Sequence, residues 1–374
     1  MIKCDAAIKL CENRTMVEAR EWSQVGERVR DARIGAGLSQ AELGAALSLD
    51  RTMIAKIEAG TRKVDALELT RLATTLAVPL DYFLHRAPAV LSRRAELSED
   101  TATDAGRQAY RLEAQLEAWA RDVRQLLDLK TLMAGRIYRS EGAADEGAAR
   151  IESSRFRSHF GLALDPIPTL MDVCERAGQF VLVADLPGDG ASMVVDDELA
   201  VAVVSRSGDP GRRRATAAHE LGHMVLGDAY SNDIGVHASQ RDRESVVDAF
   251  AAELLLPSEV VAKVNGRDEL VELAALYRTS WSLATRQAVH VGVISTDEAH
   301  VWSQQRPTRA ELMNAIGWAP QPDLEATRVP RKYATAVMEA LMRNMVTPSR
   351  AVELMHGQLV ESDLPLVPDD EVAP

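Results

Sequence analysis

The stretch RATAAHELGHMVLGD, residues 214–228, followed by ESVVDAFAAELLLP, residues 244–257, decides how this chain is read. Ala215 to Leu226 is rich in Ala and Leu and stops at Gly227, the pattern of a helix closed by a left-handed cap. On that helix His219 and His223 stand one turn apart on one face, so both imidazoles can reach a single metal ion. Glu220 lies about 100° further round, close enough to take a proton from a water at that ion. Leu221 and Val225 are expected to face the core.

Two histidines do not complete a catalytic metal site, which takes three protein ligands and keeps a position for water or substrate. The second segment offers Glu244 and, one turn on, Asp248. One carboxylate can ligate the metal while the other accepts the free N–H of a ligating histidine and fixes its tautomer. Glu253, further along the same helix beside Leu254–Leu256, is the rival third ligand. Tyr230 and His237 lie where an oxyanion-stabilising group is needed, and neither is singled out.

HExxH followed by ExxxD resembles the gluzincin pattern of metallopeptidases. The fuller context is similar to the ImmA/IrrE family of zinc metallo-endopeptidases, over roughly Gly142 to Ser295. That resemblance implies an α+β zincin-type domain with one zinc per chain on His219, His223 and Glu244, and Glu220 as general base. Where the family commonly has Ala-Asn or Ala-Asp, this chain has Val247-Asp248, which keeps the supporting carboxylate.

Upstream, the apolar period changes from helical to two. A helix is expected around Pro166 to Gly178. Short strands are expected at Phe180–Ala184, Met193–Val195 and Leu199–Val204, the last two joined through Asp196, Asp197 and Glu198. These predict a small antiparallel sheet, whose edge strand could take an extended peptide by strand addition. Asp209, Pro210 and Gly211 read as a turn, and Arg212, Arg213 and Arg214 as a solvated loop that could also steer an acidic substrate. Cys174 reads as a small core residue, and Arg343 and Arg350 as ordinary surface.

Near the N-terminus, LSQAELGAALSLDRTMIAKIEAG, residues 38–60, carries helix, turn and helix. Ser39 with Glu42 makes a capping box, Asp50 is expected to cap the second helix, and Leu43, Ala46, Leu49, Ile54 and Ile57 form the face that fixes the pair. This leaves Gln40, Arg51, Thr52, Ala55 and Lys56 for DNA phosphates and base edges. The segment resembles the XRE family of Cro/repressor-like helix-turn-helix domains over roughly Val25 to Leu84. It departs at Ser48, where the family usually has glycine. Basic and acidic residues balance over Val25–His85, which weakens the electrostatic part of DNA affinity and leaves dimerisation or protein contact as the alternative use.

Thr103 to about Arg136 reads as one long helix with an apolar stripe of Leu112, Leu116, Trp119, Val123, Leu126 and Met133. The stripe must be buried, against the chain itself or in a homodimer seam. A net charge of −13 repels nucleic acid and anionic membrane at long range, so any DNA contact must be local. Three cysteines without CxxC spacing, at 4, 11 and 174, give neither a disulfide framework nor a zinc knuckle and fit a cytoplasmic location. No apolar run reaches membrane-spanning length.

The expected organisation is α+β and multidomain. A flexible leader is expected over 1–22, with Met16 as an alternative start. An all-α helix-turn-helix domain spans 23–86, a helical linker 87–141 and the zinc metallopeptidase domain 142–298. A helical C-terminal region covers 299–360 and an acidic, disordered tail 361–374. Together these features predict a zinc-dependent, site-specific endopeptidase that binds double-stranded DNA through 23–86. By resemblance, its substrate is a helix-turn-helix repressor, whose cleavage switches on stress, prophage or mobile-element genes. The alternative is a DNA-binding regulator or antitoxin whose zincin domain senses a ligand or partner and cuts nothing.

Overall fold

A computed structural model of the 374-residue chain describes residues 22–76, 78, 80–83, 90–94, 102–133, 135–186, 188–195, 199–227, 237–317, 324 and 328–365. The expectations for the leader, for Tyr230, for the 196–198 connection and for the last nine residues fall outside these. The chain divides into two compact units, one built from its first 88 residues with 95–118, the other from 89–94 with 119–374.

The first unit is helical: α1 over 22–35, α2 (Gln40–Leu47), α3 (Arg51–Glu58), α4 (Ala66–Leu76) and a 3-10 turn at Leu80–Phe83. Its core gathers Val29, Ala32, Leu43, Leu47, Ile54, Ile57, Leu72 and Phe83. Leu47 takes the place expected for Ala46, which is exposed. Leu47 lies four residues after Leu43, on the same face of α2.

Ser39 and Glu42 form the capping box, with Ser39 N–H donating to Glu42 at 2.7 Å and Glu42 N–H donating to Ser39 Oγ at 3.2 Å. Asp50 sits at the N-cap of α3, but its side chain makes no cap hydrogen bond. Ser48 closes α2 with φ of 58°, in the left-handed region where glycine is favoured. The Arg33 guanidinium grips Glu58 by two bonds, at 2.5 and 3.1 Å, and locks α1 to the end of α3.

The second unit holds a four-stranded sheet in the order β1-β3-β4-β2, with β1 (Val90–Arg94), β2 (Gln179–Ala184), β3 (Gly190–Val194) and β4 (Ala200–Ser205). The sheet is mixed, which corrects the expected antiparallel one: β2 and β4 run parallel, while β3 is antiparallel to both β4 and β1. The reason is visible in Phe180–Val183 and Val201–Val204, which are buried residue after residue instead of alternately, as parallel strands covered on both faces are. Among the described residues, β2 meets a bridge from Arg328 on the side away from β4, with Val183 and Arg328 exchanging N–H···O bonds of 3.0 Å.

α5 (Ala102–Asp128) ends eight residues before the expected boundary, so Met133 falls beyond it and is 79% exposed, unlike Leu112, Leu116, Trp119, Val123 and Leu126. Trp119 is buried by the second unit itself. Its Nε1–H donates to the Phe180 carbonyl at 2.9 Å, and its ring lies 4.6 Å from that of Tyr333. Tyr333 sits on α15 (Arg331–Met342), where burial pushes its phenol far above the usual range.

Around the sheet lie α6 (Glu146–His159), α7 (Leu170–Arg176), α8 (Pro210–Leu226), α9 (His237–Leu255), α10 (Ser258–Val261), α11 (Arg267–Tyr277) and α12 (Trp281–His290). The C-terminal region adds α13 (Thr296–Gln304), α14 (Arg309–Ile316), α15 and α16 (Pro348–Leu354). α7 is shorter than expected, beginning after Pro166 and Pro168. Arg350 on α16 is not ordinary surface: it donates to Asp122 at 2.6 Å and to Gln125, tying the C-terminal helices to α5. Arg343 is exposed and pairs with Glu339, and Cys174 is fully buried in the core, both as expected.

Candidate metal centre

α8 starts earlier than the sequence suggests. Asp209 is its N-cap, accepting from Arg212 N–H at 3.0 Å, and Pro210 opens the first turn, so the expected Asp-Pro-Gly turn is a helix start. The three arginines are therefore helical and structural. Arg212 pairs with Asp189 at 2.8 Å, Arg213 donates to the carbonyls of Arg206 and Gly208, and Arg214 is fully buried and donates to Ile167 O. Gly227 ends the helix with φ of 72°.

From Arg213 to Leu226 α8 is buried on nearly every side, between the sheet and α9. Two close approaches make this possible. A Cβ on Gly222 would fall 2.9 Å from Val247 Cγ1 and 3.1 Å from Phe250 on α9. One on Gly190 would fall 2.7 Å from Thr216 and 2.9 Å from the Val203 carbonyl. Gly222, between the two histidines, thus lets α9 come near enough for its carboxylates to reach them.

The result is a cluster of His219, His223 and Glu244, whose ligating atoms all lie within 4.8 Å of one another. His219 Nε2 stands 3.0 Å from His223 Nε2 and 3.0 Å from Glu244 Oε2, and His223 Nε2 stands 3.9 Å from Glu244 Oε1. Behind it, Asp248 Oδ1 is 2.8 Å from His219 Nδ1. With a proton on Nδ1 shared with that carboxylate, the Nε2 lone pair of the neutral ring faces His223 Nε2 and Glu244 Oε2, so a cation placed among the three would meet all of them as ligands. Metal–ligand lengths of about 2.0–2.2 Å separate tetrahedral ligand atoms by about 3.3–3.6 Å, within the 3.0–3.9 Å spread of the observed spacings. Two imidazoles and one carboxylate suit zinc.

Glu253 stands outside this cluster. It accepts from Ser258 N–H at 2.9 Å and Ser258 Oγ–H at 2.5 Å, and pairs with Arg150 at 3.3 Å, which makes it a cap for α10. His237 is the first residue of α9.

Glu220 is fully buried and accepts from the hydroxyl of Ser192 on β3 at 2.6 Å. Gln179, at the start of β2, donates its side-chain amide to the Glu220 carbonyl at 2.9 Å. Neither partner was legible in the sequence, because both come from strands with no fixed spacing to the helix. A polar residue amid an apolar strand, as Ser192 is in GASMV and Gln179 at the head of QFVLVA, is the one signal that could have marked them.

In the first unit Arg51, Thr52 and Lys56 are exposed along α3, and Ala55 is half-buried. Gln40 is partly buried and donates to Glu58 at 2.8 Å, so the carboxylate that holds Arg33 also orients the start of α2.

Residues 29–83 match the helix-turn-helix family model, and residues 174–287 match a peptidase-family model described as the IrrE N-terminal-like domain. Two relatives, uncharacterized HTH-type transcriptional regulators of Sinorhizobium medicae (strain WSM419) and Rhizobium meliloti (strain 1021), are each 39% identical over 64 residues. The match covers 17% of this chain and 46% of each relative, so the chain spans less than half the length of the curated relatives it matches. No solved structure matches this chain.

Proposed function

From a helix-turn-helix domain carried on the same chain as an IrrE N-terminal-like domain, we propose a DNA-targeted zinc endopeptidase that cuts a protein substrate, of which a helix-turn-helix repressor is the first candidate. The observation that carries this reading is the convergence of His219, His223 and Glu244, with Asp248 holding His219 from behind. One zinc per chain fits these donors, and when bound it supplies Lewis acidity toward a water and a peptide carbonyl.

The chain's own residues do the rest. Asp248 keeps the His219 proton on Nδ1 and so keeps Nε2 a ligand. Glu220 takes the proton of the attacking water and delivers it to the leaving amine nitrogen. The Ser192 hydroxyl fixes the rotamer of that carboxylate through its 2.6 Å bond. Arg51, Thr52, Ala55 and Lys56 on α3, with Gln40 on α2, would bring this chemistry to double-stranded DNA. Among the described residues no helix is long and apolar enough to cross a membrane. Residues 142–298 are the proposed peptidase domain, and a cytoplasmic site of action is part of the proposal.

The test is hydrolysis of the candidate repressor by zinc-loaded protein, with and without DNA. Cleavage by the wild type and none by Glu220→Gln is the expected result; an intact repressor with both proteins refutes it. The relatives' names favour a second reading, a transcriptional regulator whose zincin domain cuts nothing. Sequence-specific promoter binding with no cleavage by zinc-loaded wild type would select it.

A further inference from the structure

β1 has no counterpart in the sequence patterning. It comes from the stretch between Phe83 and α5, and attaches to the sheet along one side only, antiparallel to β3. The pairs are Val90 with Met193, Ser92 with Ser192, Arg93 with Ala191 and Arg94 with Gly190, with a register irregularity between Val90 and Ser92. An extended segment added antiparallel to an otherwise open edge is how a peptide ligand binds by strand addition.

The place is specific. β3 carries Ser192, whose hydroxyl holds Glu220, and Gly190, where a Cβ would come within 3.5 Å of Glu220 Oε1. β1 also lies alongside α8, the helix that bears His219, Glu220 and His223. Its register therefore spans the two β3 positions in contact with the proposed general base.

On the peptidase reading above, in which the sheet edge takes an extended peptide, we infer that the outer edge of β3 is already filled: Val90–Arg94 of the same chain is its resident ligand, which a substrate must displace. The ligand class is an extended peptide that pairs through its backbone. A tethered ligand acts at an effective concentration of order millimolar, so the chain as it stands binds substrate with an affinity reduced by the small fraction of molecules whose edge is free. The inference rests on the peptidase reading only for what the peptide does once bound.

The experiment uses the full chain in a Glu220→Gln background, with Ser92→Pro and Arg93→Pro made separately. A proline removes an N–H and breaks strand pairing, and the two positions together cover both parities of the ladder. Hydrogen exchange at 190–194 is expected to quicken at least tenfold in one or both variants, while amides of α9 keep their wild-type rates and report an intact fold. The synthetic peptide PAVLSRRAE, residues 88–96, is expected to restore protection in the variants at concentrations that leave the unsubstituted chain unchanged. With Glu220 restored and zinc bound, the proline variants should cleave dye-labelled unfolded casein with KM lowered about tenfold.

Unchanged protection of β3 in both variants, or peptide binding that does not map to β3, overturns the inference. Protection lost and then restored by the peptide, with no hydrolysis by any zinc-loaded variant, upholds the peptide site and overturns the peptidase reading instead.

Discussion

Removing the carboxylate behind His219 should weaken zinc binding without removing a ligand. Asp248 Oδ1 accepts from His219 Nδ1 at 2.8 Å. A hydrogen bond with one charged partner contributes about 1.5–3 kcal/mol, and at 1.4 kcal/mol per decade that is a ten- to roughly hundredfold change in affinity. The Asp248 side chain is 32% exposed, so solvent screening places Asp248→Ala toward the lower end, at about ten- to thirtyfold. Asp248→Asn keeps an acceptor for Nδ1–H but loses the charge, and should fall between wild type and alanine. Glu244→Ala deletes a ligand and should exceed both. The assay is competition for zinc against a chromophoric chelator at fixed pH, with thermal unfolding of each apo protein as the folding control. Equal zinc affinities for wild type, Asp248→Ala and Glu244→Ala would refute the reasoning, because the cluster would then not be where the metal binds.

Four further outcomes follow from the same geometry. Ser192→Ala frees the Glu220 carboxylate from its 2.6 Å bond, and should lower kcat about tenfold while zinc content by elemental analysis stays at one per chain. Arg51→Ala and Lys56→Ala, both at exposed positions on α3, should weaken DNA binding and each reduce the slope of log affinity against log salt by about 1, read by titration at several salt concentrations. Ser48→Gly relieves the positive φ of 58° at the end of α2 and should stabilise the helix-turn-helix unit by about 0.5–1 kcal/mol, seen as slower exchange of α2 and α3 amides. Trp119→Phe removes the indole N–H that donates to the Phe180 carbonyl and opens a gap beside Tyr333. It should cost about 2 kcal/mol or more, measured as a lower urea midpoint.

Local pattern alone determined the parts of this protein that are set by local geometry. HExxH and ExxxD have fixed spacings on helices, so His219 with His223, and Glu244 with Asp248, were bound to share a face wherever their helices went. The capping box at Ser39–Glu42 and the left-handed stop at Gly227 are legible for the same reason, since each is a contact among near neighbours in sequence, and the short strands show as a local change of apolar period. What only the tertiary structure decided are contacts at long separation. Gly222 admits α9 against α8, which brings Glu244 to the histidines, while Glu253 on the same helix turns to cap α10 instead.

The mixed sheet, Ser192 and Gln179 around Glu220, and the seating of Val90–Arg94 against β3 belong to the same class. Nothing in a strand's own sequence states which neighbour it will pair with, because backbone hydrogen bonds are the same for every residue. The pairing is chosen by what the whole chain can bury, and that sum is taken only when the chain folds.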